Sequence, residues 1–363
     1  MEGKWFEIYE RLVNTDTGYE RSIEEKIKET TFIGEILEDL GMNVRTGKAS
    51  YIATKGEPPF VTLIGHLDTV FKKGEPIIRP FRVEGNVAFG PGVADMKGGV
   101  VLILATLEEF LKSTKNLPVA VVLNVDEEIG SPKGKIDHYE MAKSSFFCLS
   151  YETGRKNEAI VLERKGIAAL EVEMKGKAGH ASIPESGANA MIEMADKILK
   201  ISELSKRFEN LTVVPTISSS GYKSNVIPES AYIFFDVRYK SVEELKKLRV
   251  LLEDVFQTKK EEGVESYYTL EVKRPPMRRY EIAERVARSA MERMGVNYDM
   301  LSVGGGGDAA FYTESGVPAI DGLGIVGRYI HSEKEEAYLD TFDSRLAFSL
   351  TLLEEVFRSS NRR

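Results

Sequence analysis

The chain has 363 residues, 42% hydrophobic and 29% charged, with a net charge of −8. That balance supports a packed globular protein, argues against disorder, and at this length favours two domains over one core. No basic block interrupts the acidic charge, so nucleic acid is not an expected partner, and no apolar run reaches the ~20 residues that span a bilayer. The start, Met1-Glu2-Gly3-Lys4-Trp5, lacks the apolar core of a signal peptide. A lone cysteine, Cys148, rules out an internal disulfide and points to a reducing cytoplasm.

In chain order, residues 60–65 form a short apolar strand that ends at His66-Leu67-Asp68. The small-residue turn Gly90-Pro91-Gly92-Val93-Ala94-Asp95-Met96-Lys97 leads into a helix over 99–112. Residues 119–125 are continuously apolar, as in a strand buried on both faces, and run into Asp126-Glu127-Glu128. A further strand over 145–150, with Cys148 in the core, precedes Tyr151-Glu152-Thr153. This alternation predicts an α/β fold with a mainly parallel sheet and helices on both faces. The rhythm changes at residue 166: strand 168–175, helix 188–204, strands 211–218 and 231–239, helix 241–258, strand 267–272. The order β-α-β-β-α-β is the split-βαβ, ferredoxin-like pattern. Residues 166–275 therefore read as a domain inserted between 1–165 and 276–363, with Arg274-Pro275-Pro276 as the hinge. The last part holds the run Gly304 to Gly307, which lacks the pattern of a phosphate cradle, and the segment Tyr329-Ile330-His331-Ser332. His138 matches no motif and reads as a surface residue.

Carboxylates and histidines at the ends of apolar strands are costly unless something offsets their desolvation. Strand ends are also where open α/β sheets place active sites. A metal is the natural compensating charge, and His with carboxylate suits zinc. Each motif alone is weak, but five of them occur in order.

Eight stretches together carry a family resemblance: GHLDTVF (65–71), GPGVADMKGG (90–99), DEEIGS (126–131), GKAGHASIPESGANA (176–190), SNVIPESA (224–231), DVRY (236–239), GGGGDAAF (304–311) and YIHSEKEEAYLD (329–340). They resemble the co-catalytic zinc amidohydrolases that include bacterial glutamate carboxypeptidase, aminoacylase, acetylornithine deacetylase and succinyl-diaminopimelate desuccinylase. The glutamate carboxypeptidase branch is the nearest in pattern. The resemblance implies a zinc-exopeptidase-like catalytic domain with an inserted dimerisation domain, two Zn2+ per chain (Co2+ or Mn2+ as substitutes), and a homodimer formed through 166–275. It implies that His66 binds one ion and His331 the other, that Asp95 bridges both, and that Glu128 completes the His331 side and Glu152 the His66 side. Two ions ~3.5–4 Å apart can share a water and lower its pKa. Asp68 would accept a hydrogen bond from the non-ligating nitrogen of His66, and Glu127 would be the general base. The resemblance also implies a cis peptide after Asp95.

In the inserted domain, the resemblance gives His180 the role of oxyanion donor in the partner subunit's site. Asn225 and Arg238 match substrate-contacting positions, and Arg274 matches a carboxylate-binding arginine, whose fork suits two parallel hydrogen bonds. Gly305 and Gly306 would bring backbone close to the substrate. The expected reaction is hydrolysis of an amide or peptide bond beside a free carboxylate, on a small peptide or N-acyl amino acid. The metal residues alone do not choose between carboxypeptidase, deacetylase and desuccinylase chemistry. Two stretches depart from the pattern: Glu152-Thr153-Gly154 replaces Glu-Pro-Thr, and Arg155-Lys156-Asn157-Glu158-Ala159-Ile160 is unlike the branch it otherwise resembles, with no basic residue at the corresponding place that serves a glutamate side chain. A non-catalytic binding protein on the same fold is the remaining alternative, disfavoured because no ligand or base is missing.

Overall fold

The structure is a computed structural model that describes residues 1, 3–113 and 117–360. Its contacts separate two compact units. One comprises Met1–Glu163, Met277–Val303 and Gly307–Arg363, the other Arg164–Pro276 and Gly304–Gly306.

The first unit is built on a six-stranded sheet in the order Asn43–Thr46, Ser50–Lys55, Val119–Asn124, Phe60–His66, Ser145–Ser150, Ala319–Ile320. The last four strands are mutually parallel, and Ser50–Lys55 is antiparallel to both of its neighbours. Every residue of Phe60–His66 and of Val119–Asn124 is buried, as central parallel strands require. Side chains alternate between the two faces. Val61, Leu63, Val121 and Leu123 pack with the helices Gly98–Ser113, Glu281–Met294 and Thr341–Ser360. Ile64, Ala120 and Val122 pack on the other side with Met141, Ala310 and Tyr312. Burying one such aliphatic side chain contributes roughly 1.5–3 kcal/mol. Cys148 lies in this second cluster. The parallel strands end at His66, at Asn124 just before Asp126-Glu127-Glu128, and at Ser150 just before Glu152.

The sequence reading of His138 is wrong. It is fully buried on the helix Gly134–Ala142, with Nε2 3.0 Å from Asp308 Oδ2 and its ring 5.9 Å from that of Phe311. Helical spacing puts it on the same face as Met141 and Ala142, so the helix buries it with them, beside the Asp308 carboxylate.

A small antiparallel sheet was not foreseen. It orders Gly327–Arg328, Glu336–Tyr338, Val87–Phe89 and Arg82–Glu84. The pairing of Glu336 with Phe89 brings the segment holding His331 beside the turn holding Asp95.

The second unit has a four-stranded antiparallel sheet ordered Thr212–Ser220, Ser230–Tyr239, Gly166–Lys175, Glu265–Arg274. With the helices Ala190–Leu204 and Val242–Gln257 it follows the β-α-β-β-α-β sequence. Ala231, Ile233, Phe235, Val237 and Tyr239 alternate inward and join Leu170, Val172, Ile201, Leu248 and Leu252 in a separate core. Ser241 and Glu244 form a capping box that starts the second helix, a device worth about 1 kcal/mol. Among the described residues no helix is long and apolar enough to cross a membrane.

Candidate metal centre and active site

His66 is 1% exposed at the end of its strand. Its Nδ1 lies 3.1 Å from the main-chain oxygen of Asp68. That carbonyl can only accept, so the ring proton sits on Nδ1 and leaves Nε2 free to bind an ion. Nε2 faces Asp95 Oδ1 at 3.4 Å and Glu152 Oε1 at 3.9 Å. His331 Nε2 faces the other Asp95 oxygen, Oδ2, at 3.0 Å and Glu128 Oε2 at 3.4 Å. The two carboxylate oxygens of Asp95 are thus divided between the two histidines.

Two of these separations, His66 to Asp95 and His331 to Glu128 at 3.4 Å each, match those between the donors of one zinc ion. Tetrahedral zinc holds N and O donors at ~2.0–2.2 Å, so its donors stand ~3.3–3.6 Å apart. The buried atoms His66 Nε2 and Asp95 Oδ1 have no hydrogen-bond partner among the described residues, an arrangement that a cation between them would resolve. Ligand atoms of His66, Asp95 and Glu128 fall within 4.8 Å of one another, and so do those of His66, Glu127 and Glu152. Glu127 therefore stands among the candidate ligand atoms.

Asp95 is presented by a tight turn. The Asp95–Met96 peptide is cis, as the resemblance implies. The helix that follows begins at Gly98 and presses on the Glu152 segment: a Cβ on Gly99 would lie 2.0 Å from the Tyr151 carbonyl oxygen. Only glycine permits that approach.

Asp68 differs in part from expectation. Its carboxylate accepts the backbone N–H groups of Glu127 at 3.1 Å and Glu128 at 3.0 Å, and stands 3.5 Å from His66 Nδ1. Side chains two residues apart share a side only along an extended segment, and the strand ends at His66. Beyond it, two main-chain donors fix the carboxylate. Its first task is to hold the turn that carries Glu127 and Glu128.

The charges of the cluster are strongly coupled. Burial opposes a charged His66, but the Asp68 and Asp95 carboxylates outweigh it and raise its pKa well above the usual imidazole value. Hydrogen bonds to Asp95 and Glu128 raise His331 to about 10. Burial, with the Asp95 and Glu127 charges, raises Glu128 to about 8. Burial would raise Asp95 too, but the two histidines hold it well below the carboxylate range.

Several supporting residues were not singled out from the sequence. Glu335 accepts N–H groups of Gly92 (3.1 Å), Ala94 (2.9 Å) and Asp95 (2.9 Å). Burial raises its pKa to about 7. Lys97, fully buried, donates to the Thr15 carbonyl at 2.9 Å, and burial lowers it to about 7. Asp308 accepts from Asn124 Nδ2 (2.7 Å) and Ser131 Oγ (2.6 Å) beneath the Glu127 turn. No local signal separates Glu335 from its neighbours Glu333 and Glu336. The motif membership of Lys97 and Asp308 was the signal available for them.

In the second unit, His180 and Asn225 come together. Ala181 N–H donates to the Asn225 carbonyl at 3.0 Å, and His180 bridges Val226. Both lie on exposed loops. Ser182 N–H donates to His180 Nδ1 at 3.2 Å, with Ser182 Oγ at 2.7 Å. An amide N–H can only donate, so the neutral ring carries its proton on Nε2. Arg238 forks onto Asp236 at 2.7 and 2.9 Å. Arg274 is buried at the end of its strand, packed beside Gly306, where an added Cβ would lie 3.1 Å from Arg274 Cδ. Arg164, also buried and not anticipated, donates to the Gly306 carbonyl at 3.0 Å and lies 3.5 Å from that of Gly305.

Buried strand ends that present His and carboxylate donors around a shared aspartate define a metallohydrolase type of site. The profile of Peptidase family M20/M25/M40 matches residues 62–355. Carboxypeptidase G2 of Pseudomonas sp. (strain RS-16) is 35% identical over 349 residues, 91% of this chain and 83% of that protein. A LysW-lysine/LysW-ornithine hydrolase of Sulfurisphaera tokodaii is 29% identical over 65% of this chain and 64% of its own length. The chain belongs to peptidase family M20/M25/M40 and is a hydrolase acting on peptide or amide bonds. Two solved structures share its fold. Aminopeptidase PepT from Bacillus cereus has a TM-score of 0.79 at 19% identity, covering 97% of this chain and 98% of that one. The M20 family metallo-carboxypeptidase Sso-CP2 from Sulfolobus solfataricus has a TM-score of 0.79 at 14% identity, covering 97% and 99%.

Proposed function

We propose that the chain is a two-zinc exopeptidase or N-acyl-amino-acid amidohydrolase that cleaves an amide bond beside a free carboxylate. The observation that carries this reading is Asp95, whose two oxygens face His66 at 3.4 Å and His331 at 3.0 Å. His66, Asp95 and Glu152 would hold one ion, and His331, Asp95 and Glu128 the other. The N and O donors suit Zn2+, with Co2+ or Mn2+ as substitutes. When bound, the ions supply Lewis acidity that acidifies a water molecule and polarises the scissile carbonyl. Glu127 takes the proton of that water and returns it to the leaving amine. Asp68 holds the main chain of Glu127 and Glu128 and so aims the base.

His180, with its proton on Nε2, is suited to donate to the oxyanion. In a homodimer formed through residues 166–275 it would serve the centre of the partner. The strand Thr212–Ser220 lies at the edge of its sheet and exposes Val214 and Ile217, a feature that favours pairing with a second copy. Asn225, Gly305 and Gly306 would contact the substrate, and Arg238 and Arg274 would take its carboxylate. Similarity to carboxypeptidase G2 supports removal of a carboxyl-terminal residue. A cytoplasmic location belongs to the same reading and is supported by the single, buried Cys148.

The test is a hydrolysis screen over dipeptides, N-acyl amino acids and folyl-glutamate with Zn2+ or Co2+, with metal content measured alongside. Two ions per chain, and activity lost on chelation and regained on reloading, are expected. Undiminished hydrolysis after exhaustive chelation would sink the reading.

A further inference from the structure

His66 and His331 are held by different means. His66 ends a buried central strand. His331 lies in the connection between the two-residue strand Gly327–Arg328 and the three-residue strand Glu336–Tyr338. Its side chain is 51% exposed, and its φ of 63° is in the left-handed region. A β-carbon makes that region unfavourable unless neighbours enforce it. Its own bonds are Ser332 N–H and Oγ to the Tyr329 carbonyl at 3.2 and 2.6 Å, Lys334 N–H to Ser332 Oγ at 3.3 Å and Glu335 N–H to the Ser332 carbonyl at 3.1 Å, and from outside Arg79 donates to the Glu333 carbonyl at 2.9 Å. They shape the loop, but none of them points at Asp95.

The strand pairing of Glu336 with Phe89 brings this segment alongside, and Glu335 ties it directly to the Asp95 turn. Four residues after His331, it is 1% exposed and accepts three main-chain N–H groups of the turn that presents Asp95, including that of Asp95 itself. Backbone N–H groups of one turn converging on a single carboxylate form an anion nest. We propose that Glu335 is a positioning residue that locks the His331 loop onto the Asp95 turn and so builds the second metal site, without touching a reacting atom. The proposal rests on the two-ion reading above. The first site depends on this link less, because His66 is fixed by its strand and by the Asp68 carbonyl.

The test is a calorimetric titration of the metal-stripped, full-length chain with Co2+, comparing wild type, Glu335→Gln and Glu335→Asp. His331→Ala is the benchmark for a lost second site. Gln keeps one acceptor oxygen but turns an NH2 group toward N–H donors. Asp keeps the charge but falls one methylene short. Melting of each metal-free variant separates global unfolding from a local effect, and Asp serves if Gln does not fold. The expected result is that the first ion binds within about threefold of wild type while the second binds at least tenfold more weakly, the usual range for a residue that orients ligands. The rate at saturating Co2+ should return close to that of wild type. An unchanged second affinity, or an equal loss at both sites, overturns the proposal. A wild type that takes only one ion strikes the two-ion reading itself and this inference with it.

Discussion

The two units hold their functional side chains in opposite ways. In the first, the His66 ring is held by the Asp68 carbonyl two residues on, the main chain of Asp95 by the Glu335 carboxylate, and the main chain of Glu128 by the Asp68 carboxylate. Their charges are coupled, so none can change its proton without shifting another. In the second, His180 and Asn225 sit on exposed loops, and Arg238 lies partly open, paired with Asp236 on its own strand. The contrast separates two tasks. Metal binding and proton transfer need a rigid, desolvated cluster; recognition of a substrate tolerates adaptable loops. Substitutions in the first unit should change metal content or rate, and those in the second should change rate or KM with the metals intact.

The largest effect should follow from Glu127. Glu127→Gln should lower kcat by ~10²–10⁴ with both ions retained, whereas Glu128→Gln should lower metal occupancy. Metal analysis beside kinetics checks this. Equal metal loss in both variants would break the division between base and ligand.

Next comes His180. His180→Ala should cost ~10²–10³ in rate, as loss of one oxyanion donor does, with metal content unchanged. Mixing it with Glu127→Gln under conditions that exchange subunits should restore activity. One site of each mixed dimer then has Glu127 from one chain and His180 from the other. Proven exchange without recovery would confine His180 to its own chain.

The features legible in the sequence are those written in local periodicity. The unbroken apolar runs of Phe60–His66 and Val119–Asn124, and the alternation of Ala231, Ile233, Phe235, Val237 and Tyr239, follow from which faces are buried. Charges at strand ends followed from the cost of desolvation. Glu335, His138 and the true partners of Asp68 were not legible, because each depends on a group far away in the chain: 240 residues between Glu335 and Asp95, 59 between Asp68 and Glu127. The sheet that pairs Glu336–Tyr338 with Val87–Phe89 escaped for a related reason. Three-residue strands carry too few alternations to register.

Coupling within the first unit also predicts a pH dependence. In the metal-free form His331 titrates near 10, Glu128 near 8, and His66 well above the usual value. At pH 7 all three therefore carry protons that ions must displace, so binding should release about three protons per pair of ions. Apparent affinity should rise with pH, about tenfold per unit for each displaced proton, and flatten as pH approaches the value of His331. Calorimetry in buffers of different ionisation heat counts the protons. Affinity independent of pH between 6 and 8 would mean that the histidines are already neutral without metal.

The smallest effect tests the second unit. Arg238 is proposed to take a substrate carboxylate, yet its fork is engaged by Asp236 at 2.7 and 2.9 Å. The two carboxylates must compete for one guanidinium. Both side chains are about one-third exposed, at 31% and 32%. A pair so open to solvent is worth ~0–1 kcal/mol. Asp236→Asn should therefore free Arg238 and lower KM for a carboxylate-bearing substrate by at most about fivefold. It should leave kcat and metal content unchanged. Arg238→Ala should raise KM in both backgrounds and abolish the gain from Asp236→Asn, because the gain exists only through the arginine. If Asp236→Asn instead raises KM while Arg238→Ala has no effect, the pair serves the sheet alone, and carboxylate recognition passes to Arg274.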